Sequence, residues 1–261
     1  MAKAKKESFA DFLKELKENA VVASKPVETI LERKYFLIVS EGERTEPNYF
    51  NYFKNLLPNH LIETIDVHGE GDNTINIVRK AISLRDIRKK SVLLPDYDEV
   101  WAVYDKDNFP ANRFNTAVRL AAQNNVESGH SNQSFELWYV LHFQFLQNAL
   151  HRRDYITILT KILKFKYEKN DLNVIKLLFD KGNVRQAIEW ARELEENSTG
   201  TTPANSCPTT RVYVLVERLL EYVEHDSYLE NILLYDKTKK NDDGKRILLS
   251  DYLKNRKVKN G

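Results

Sequence analysis

The sequence predicts an α/β fold: a parallel sheet of about four strands flanked by helices, followed by a mostly helical C-terminal part. Three observations predict it. The run Tyr35-Phe36-Leu37-Ile38-Val39 is continuously apolar, with aromatic and β-branched members, the pattern of a strand buried on both faces. Strand-like and helix-like segments then alternate to about residue 123, the order that lays crossover helices on a parallel sheet. From about Leu150 onward, helical periodicity takes over.

The elements follow in order. The first strand leads into a polar turn, Ser40 to Pro47. Residues 48–57 carry Tyr49, Phe50, Phe53, Leu56 and Leu57 at helical spacing and are closed by Pro58. Pro47 fits the first turn of that helix, where its missing N–H leaves no bond unmade. Residues 63–67 form a second short strand, followed by the Gly-rich turn from His68 to Asn73. A helix over 74–90 runs through Ile75, Val78, Ile82 and Leu84. The third strand, 99–104, ends in Asp105-Lys106-Asp107. A helix over about 113–123 comes next, then a brief fourth strand near 126–128. An apolar helix over 134–146 follows, with Ser134 as its N-cap.

Residues 155–165, 172–179 and 184–194 each repeat apolar residues three and four apart. A polar loop, 197–207, precedes 210–223, whose spacing is helical although Val212, Tyr213, Val214 and Val216 leave a strand open. The reading divides the chain into an arm (1–32), an α/β domain (33–149), a helical part completing or decorating the core (150–236) and a basic tail (237–261). Within the arm, Phe9, Phe12, Leu13 and Leu16 are spaced as a short amphipathic helix.

A chain of 261 residues with 42% hydrophobic and 30% charged residues has the proportions of an ordinary globular protein. No apolar run approaches the roughly 20 residues that span a bilayer. The basic start, Met1 to Lys6, lacks the apolar stretch of a secretory signal. Cys207 is the only cysteine, which excludes an intramolecular disulfide and a thiolate metal site. A cytoplasmic protein without a membrane partner is expected. The net charge of +2 neither demands nor forbids nucleic acid, since a balanced chain can still present one basic face.

Two acidic groups directly follow predicted buried strands: Glu41 after the first, Asp105 with Asp107 after the third. Open parallel sheets collect ligands beyond the carboxyl ends of their strands, so these acids meet if the two strands are neighbours. Asp105 and Asp107, two apart on an extended segment, lean toward one face. Crowded carboxylates raise one another's pKa, and a hard cation such as Mg²⁺ relieves the repulsion while keeping waters for phosphate oxygens. The plainer reading of Asp-x-Asp is turn chemistry or a helix cap.

Four stretches together resemble a known family. They are residues 39–50 (Val-Ser-Glu-Gly-Glu-Arg-Thr-Glu-Pro-Asn-Tyr-Phe), 103–109 (Val-Tyr-Asp-Lys-Asp-Asn-Phe), 131–138 (Ser-Asn-Gln-Ser-Phe-Glu-Leu-Trp) and 141–143 (Leu-His-Phe). The chain resembles the RloB-like proteins, found beside restriction systems in prokaryotes, over about residues 33–145 and more weakly near 208–219. Gln133 stands where that family often has proline, and Ser206-Cys207-Pro208 replaces an Asn-Pro type turn. RloB-like proteins in turn look like members of the Toprim superfamily, shared with topoisomerases, primases and overcoming-lysogenization-defect nucleases.

The resemblance implies a Toprim-like domain and a Mg²⁺-dependent phosphodiesterase or nuclease of prokaryotic anti-phage defence, with Mn²⁺ able to substitute. Its substrate would be DNA or RNA, transfer RNA included. Asp105 and Asp107 would hold the metal, and Glu41 would ligate it or act as general acid/base. Glu136 is either a further acid of the site or a helix cap or salt-bridge residue. Gly42 would let the backbone approach closely, and Thr45 and Ser131 would bind phosphate or cap helices. Arg44, Lys106, Arg152, Arg153 and Arg211 are the cations to consider for the nucleic-acid backbone. His142, following Trp138 and Leu141 on an apolar helix, reads as a core residue. The alternative is a non-cutting nucleic-acid-binding or adaptor module working with a defence ATPase, with the helical part supplying that contact or a homodimer interface. A primase-like nucleotidyl transferase ranks last, because no Gly-rich lysine motif for nucleotide accompanies the acids.

Overall fold

The computed structural model describes residues 34–54 and 65–224. The expected arm, the end of the first helix, the start of the second strand and the basic tail lie outside the described residues. β1 (Phe36–Ser40) is buried along its whole length, as a strand with neighbours on both sides and layers on both faces has to be. It pairs in parallel with β2 (Ile65–Gly69) and with β3 (Glu99–Val103), Ser40 standing level with Gly69 on one side and Val103 on the other. β4 (Glu127–Ser128) joins the far side of β3, also in parallel, giving the order β2-β1-β3-β4. The four-stranded parallel sheet is thus present, connected by α1 (Thr45–Lys54), α2 (Thr74–Lys89) and α3 (Ala111–Gln123).

Strand alternation sorts the side chains into two layers. Leu37, Val39, Val100, Ala102 and Tyr104 pack with Ile77, Val78 and Ala81 of α2 and with Phe114, Ala117 and Ala121 of α3. Phe36, Ile38, Trp101 and Val103 face the other way. There they meet α1 and the helices α4 (Glu136–Leu141), α5 (Arg152–Leu163), α6 (Leu172–Lys181), α7 (Val184–Asn197) and α8 (Val212–Glu224). The C-terminal helices therefore bury the second face of the sheet. Each fully buried Phe or Leu contributes about 1.5–3 kcal/mol, so this layer holds a large share of the stability. Tyr49 of α1 is its hub, in ring contact with Phe50, Phe135, Trp138, Tyr139, His142 and Phe179. His142 is buried, its Nδ1–H donating to Trp138 O at 2.8 Å, as a core histidine should be.

Two expectations need correction. The apolar helix expected over 134–146 is only six residues long, Glu136–Leu141. Ser134 does not cap it, and its buried hydroxyl has no partner. Asp105 Oδ2 instead accepts the Phe135 N–H at 3.1 Å. At the other end His142 O accepts the Asn183 N–H at 2.7 Å, and the chain leaves the helix there. The open question over 210–223 resolves as a helix from Val212 onward, so Val212, Tyr213, Val214 and Val216 are not in a strand. β6 (Thr209–Thr210) pairs antiparallel with β5 (Ser131–Asn132), and α8 begins two residues later. Among the described residues no helix is long and apolar enough to cross a membrane.

Candidate active site beyond the ends of β1 and β3

The β1–β3 register brings together residues far apart in sequence. Glu41 continues β1 by donating its N–H to Val103 O at 2.9 Å, while its own carbonyl accepts the Gly71 N–H at 3.0 Å. Its backbone is thereby tied to the end of β3 and to the segment that follows β2. Its side chain crosses to the third strand, where Oε2 accepts the Asp105 N–H at 3.1 Å. The segment after β3 is fixed from the other side. Lys106 N–H donates to Ser131 O at 2.8 Å and Asp107 N–H to Gln133 O at 2.9 Å. Asp107 takes a left-handed φ of 44°, a conformation that aspartate tolerates better than most residues.

Two further acids close the group. Glu46, in the first turn of α1, is buried to 4% exposure, and the Gly42 N–H is bonded to its carboxylate. Gly42 has to be glycine for this: a Cβ there would lie 2.1 Å from Glu46 Oε2. Glu136, at the start of α4, is 2% exposed and accepts the Tyr167 hydroxyl at 3.2 Å. Together they line a cavity of about 460 Å³. Its acidic residues are Glu41, Glu43, Glu46, Asp105, Asp107 and Glu136; its basic residues are Arg44 and Lys169.

Such crowding sets the protonation. Burial pushes Glu41 up to about 7; the Asp105 N–H pulls the other way, and Asp107 and Glu46 add to the rise. Burial likewise raises Glu46 to about 7, with Glu136 adding repulsion. Asp105 is held well above the usual carboxylate range by burial and then by Glu46, Glu136 and Glu41. Two cations from the helical part offset the charge. Arg152 Nη1 lies 2.7 Å from Asp107 Oδ1, and Lys169 Nζ lies 3.2 Å from Glu136 Oε1.

The donor set is one that suits a hard cation: carboxylate oxygens alone, too close to ionise together without counter-charge. The arrangement is not yet a ligand cage. Among the described residues no three His, Cys, Asp or Glu side chains are placed so that they could hold a metal ion together.

The other sequence-derived residues divide clearly. Gly42, Arg44 and Thr45 line the cavity with Glu41, Asp105, Asp107 and Glu136. Thr45 is buried, its hydroxyl donating to Lys169 O at 3.3 Å, so it latches the 164–171 loop. Lys106 turns back, its Nζ 3.2 Å from Phe109 O. Arg153 is exposed and is not among the lining residues. Ser131 is fully buried and bonds Thr210 Oγ1 at 2.9 Å, holding β5 to β6 instead of facing substrate. Arg211 pairs with Glu195 in a different concavity, along the β4 edge of the sheet. Sequence reasoning gave no site role to Glu46, Lys169 or Tyr167. Glu46 had a signal, an acid in the first turn of a helix that starts beside Glu41; Lys169 and Tyr167 had none.

These features define a class: an α/β protein whose acidic cleft opens beyond the carboxyl ends of two central parallel strands. The chain belongs to the RloB-like protein family, whose family model matches residues 36–219. No curated protein and no solved structure matches it.

Proposed function

We propose that this chain is a metal-dependent phosphodiesterase that cuts DNA or RNA, the reading that its likeness to Toprim-type nucleases of prokaryotic defence also suggests. The observation that carries it is the bond from the Asp105 N–H to Glu41 Oε2, which draws acids from two strands into one cleft with Asp107. Asp105 and Asp107 would hold Mg²⁺, or Mn²⁺ in its place, and Glu41 would either join them as a ligand or, off the metal, act as general acid/base. When bound, the cation supplies charge that polarises the phosphoryl oxygen and stabilises the leaving oxygen.

The chain's own residues do the rest. Glu41 titrates near 7, so it can hold or release a proton at the pH of the cell. With Oε2 taken by the Asp105 N–H, that proton sits on Oε1, the free oxygen. Arg44, exposed at the rim of the cavity, offers a cation to a phosphate.

One observation favours the second reading, a binding or adaptor module working with an ATPase. Asp107 and Glu136 are already paired with side-chain cations. The two are separated by incubating labelled DNA and RNA with Mg²⁺ or Mn²⁺, with Glu41→Gln and Asp105→Asn beside the wild type. Cutting that is lost in both variants supports the phosphodiesterase. Binding without cutting, equal in all three proteins, supports the adaptor and defeats the proposal.

A further inference from the structure

The ion pairs at the acidic cleft are held more lightly than the best-anchored pairs of the molecule. Arg218 grips Glu99 Oε1 through both Nε and Nη2, at 3.1 and 2.8 Å. Arg88 bonds Asp66 and Pro95 O and lies over the rings of Tyr97 and Tyr35. Arg152 and Lys169 each meet a carboxylate through a single contact, as Lys80 meets Glu70 and Lys166 meets Glu168, and are 38% and 54% exposed; what sets them apart is the group of buried acids they face. Their backbones, by contrast, are fixed. Arg152 opens α5 behind a capping box formed by His151 and Asp154. The carbonyl of Lys169 is bonded by Thr45. A fixed root with a loosely held, half-exposed head is the build of a side chain that can change partners without moving the fold.

Charge says which partner comes next. Arg152 and Lys169 together bring two positive charges to a cluster of acids, the same charge that one divalent cation brings. Resting on the reading of this cleft as a metal-dependent phosphodiesterase, we infer that Arg152 and Lys169 are exchangeable counter-ions: a divalent cation displaces them from Asp107 and Glu136, and they turn to the phosphates of the substrate. The cleft then binds nucleic acid tightly only after it binds metal, because until then Arg152 and Lys169 are spent on its own acids and Arg44 alone faces a phosphate. The helical part thus supplies the phosphate-binding groups, and the sheet supplies the acids.

The test measures Mn²⁺ binding by calorimetry and binding of fluorescent single-stranded DNA and RNA oligonucleotides by anisotropy, on the full chain. Wild type, Glu41→Gln/Asp105→Asn and Arg152→Gln/Lys169→Gln are compared. With its competing cations removed, the last is expected to bind Mn²⁺ about tenfold tighter than wild type. In saturating Mn²⁺ its oligonucleotide affinity is expected to fall, and the slope of log K against log salt to lose about one per removed cation. Without Mn²⁺ the two proteins are expected to bind oligonucleotide equally weakly. If Glu41→Gln/Asp105→Asn abolishes Mn²⁺ binding but Arg152→Gln/Lys169→Gln matches wild type throughout, the exchange is wrong while the metal site stands. If wild type binds no Mn²⁺, or Glu41→Gln/Asp105→Asn binds it as wild type does, the underlying reading falls and the inference with it. Loss of the folded circular dichroism spectrum in Arg152→Gln/Lys169→Gln would show the pairs to be structural, which also overturns the exchange.

Discussion

Two concavities among the described residues differ in kind, and the larger is the less interesting. The groove along the β4 edge encloses about 1110 Å³, more than twice the volume of the acidic cleft. Its charges nearly cancel: Asp98, Glu99, Glu127 and Glu195 face Lys34, Arg211 and Arg218. Arg211 bonds Glu195 and Arg218 bonds Glu99, so the groove's cations tie α7, α8 and β3 together. The cleft is built the opposite way, with acids outnumbering bases and several of them buried. Folding does not favour such an excess, since burying like charges costs free energy. An unbalanced cluster is therefore stronger evidence of use than an ample volume.

The sharpest way to break this comparison is to neutralise one acid of the cleft. Glu41→Gln or Asp105→Asn is expected to lower metal-dependent cutting of labelled nucleic acid about 100-fold or more, measured as initial rates. Next come the glycines. At Gly69, packed against the Gly42 and Glu43 backbone that lines the cleft, a Cβ would lie 2.7 Å from Gly42 O and 2.8 Å from Glu43 O, both backbone atoms that cannot swing aside. Gly69→Ala is expected to cost about 1–3 kcal/mol in urea denaturation. At Gly129, beside the groove, the nearest atom is Val103 Cγ2 at 3.3 Å, and Gly129→Ala should cost less than about 1 kcal/mol. Equal costs would mean the cleft is no more tightly built than the groove.

A pH series sharpens the same contrast. Glu41 and Glu46 titrate near 7 when folded, against an ordinary value of 4.5, so between these limits the folded state binds more protons than the unfolded one. Stability is then full below about pH 4.5 for these groups and is lost as pH rises through 7. In EDTA, Tm is expected to fall from pH 5 to pH 8, and Glu46→Gln should flatten that fall. A Tm that rises over this range in both proteins would contradict the buried, protonated cluster. The smallest effect belongs to the groove. Arg218→Gln is expected to change stability by no more than about 1 kcal/mol, and to leave cutting at the wild-type rate.

Much of this was legible in the sequence for a physical reason. A strand buried on both faces has to be apolar without interruption, so Phe36 to Val39 announced the sheet, and residues just after such strands fall in its crevice. That logic located Glu41, Asp105 and Asp107. It failed where burial is not written in residue type. Ser131 reads from sequence as a phosphate ligand or a helix cap and is neither, because a serine serves equally well inside a two-stranded ribbon. Arg211 looked like Arg44, since nothing local separates a structural arginine from one at a cleft. Residues 142–146 are apolar enough for a helix, yet Phe143, Phe145 and Leu146 pack on the core from a loop. Lys169 reaches Glu136 only through the tertiary path of the 164–171 loop.

The pairing of β5 with β6 has a consequence for synthesis. Ser131 and Asn132 sit between the acids at 105–107 and Glu136, and their antiparallel partners, Thr209 and Thr210, are made late. A nascent chain therefore carries every acid of the cleft long before it owns the ribbon that frames them. Chains halted on the ribosome before residue 209 should accordingly be cut by protease near 131, while longer ones resist. Until Thr209 and Thr210 have been made and emerge, the segment that joins the 105–107 acids to Glu136 has no strand to hold it.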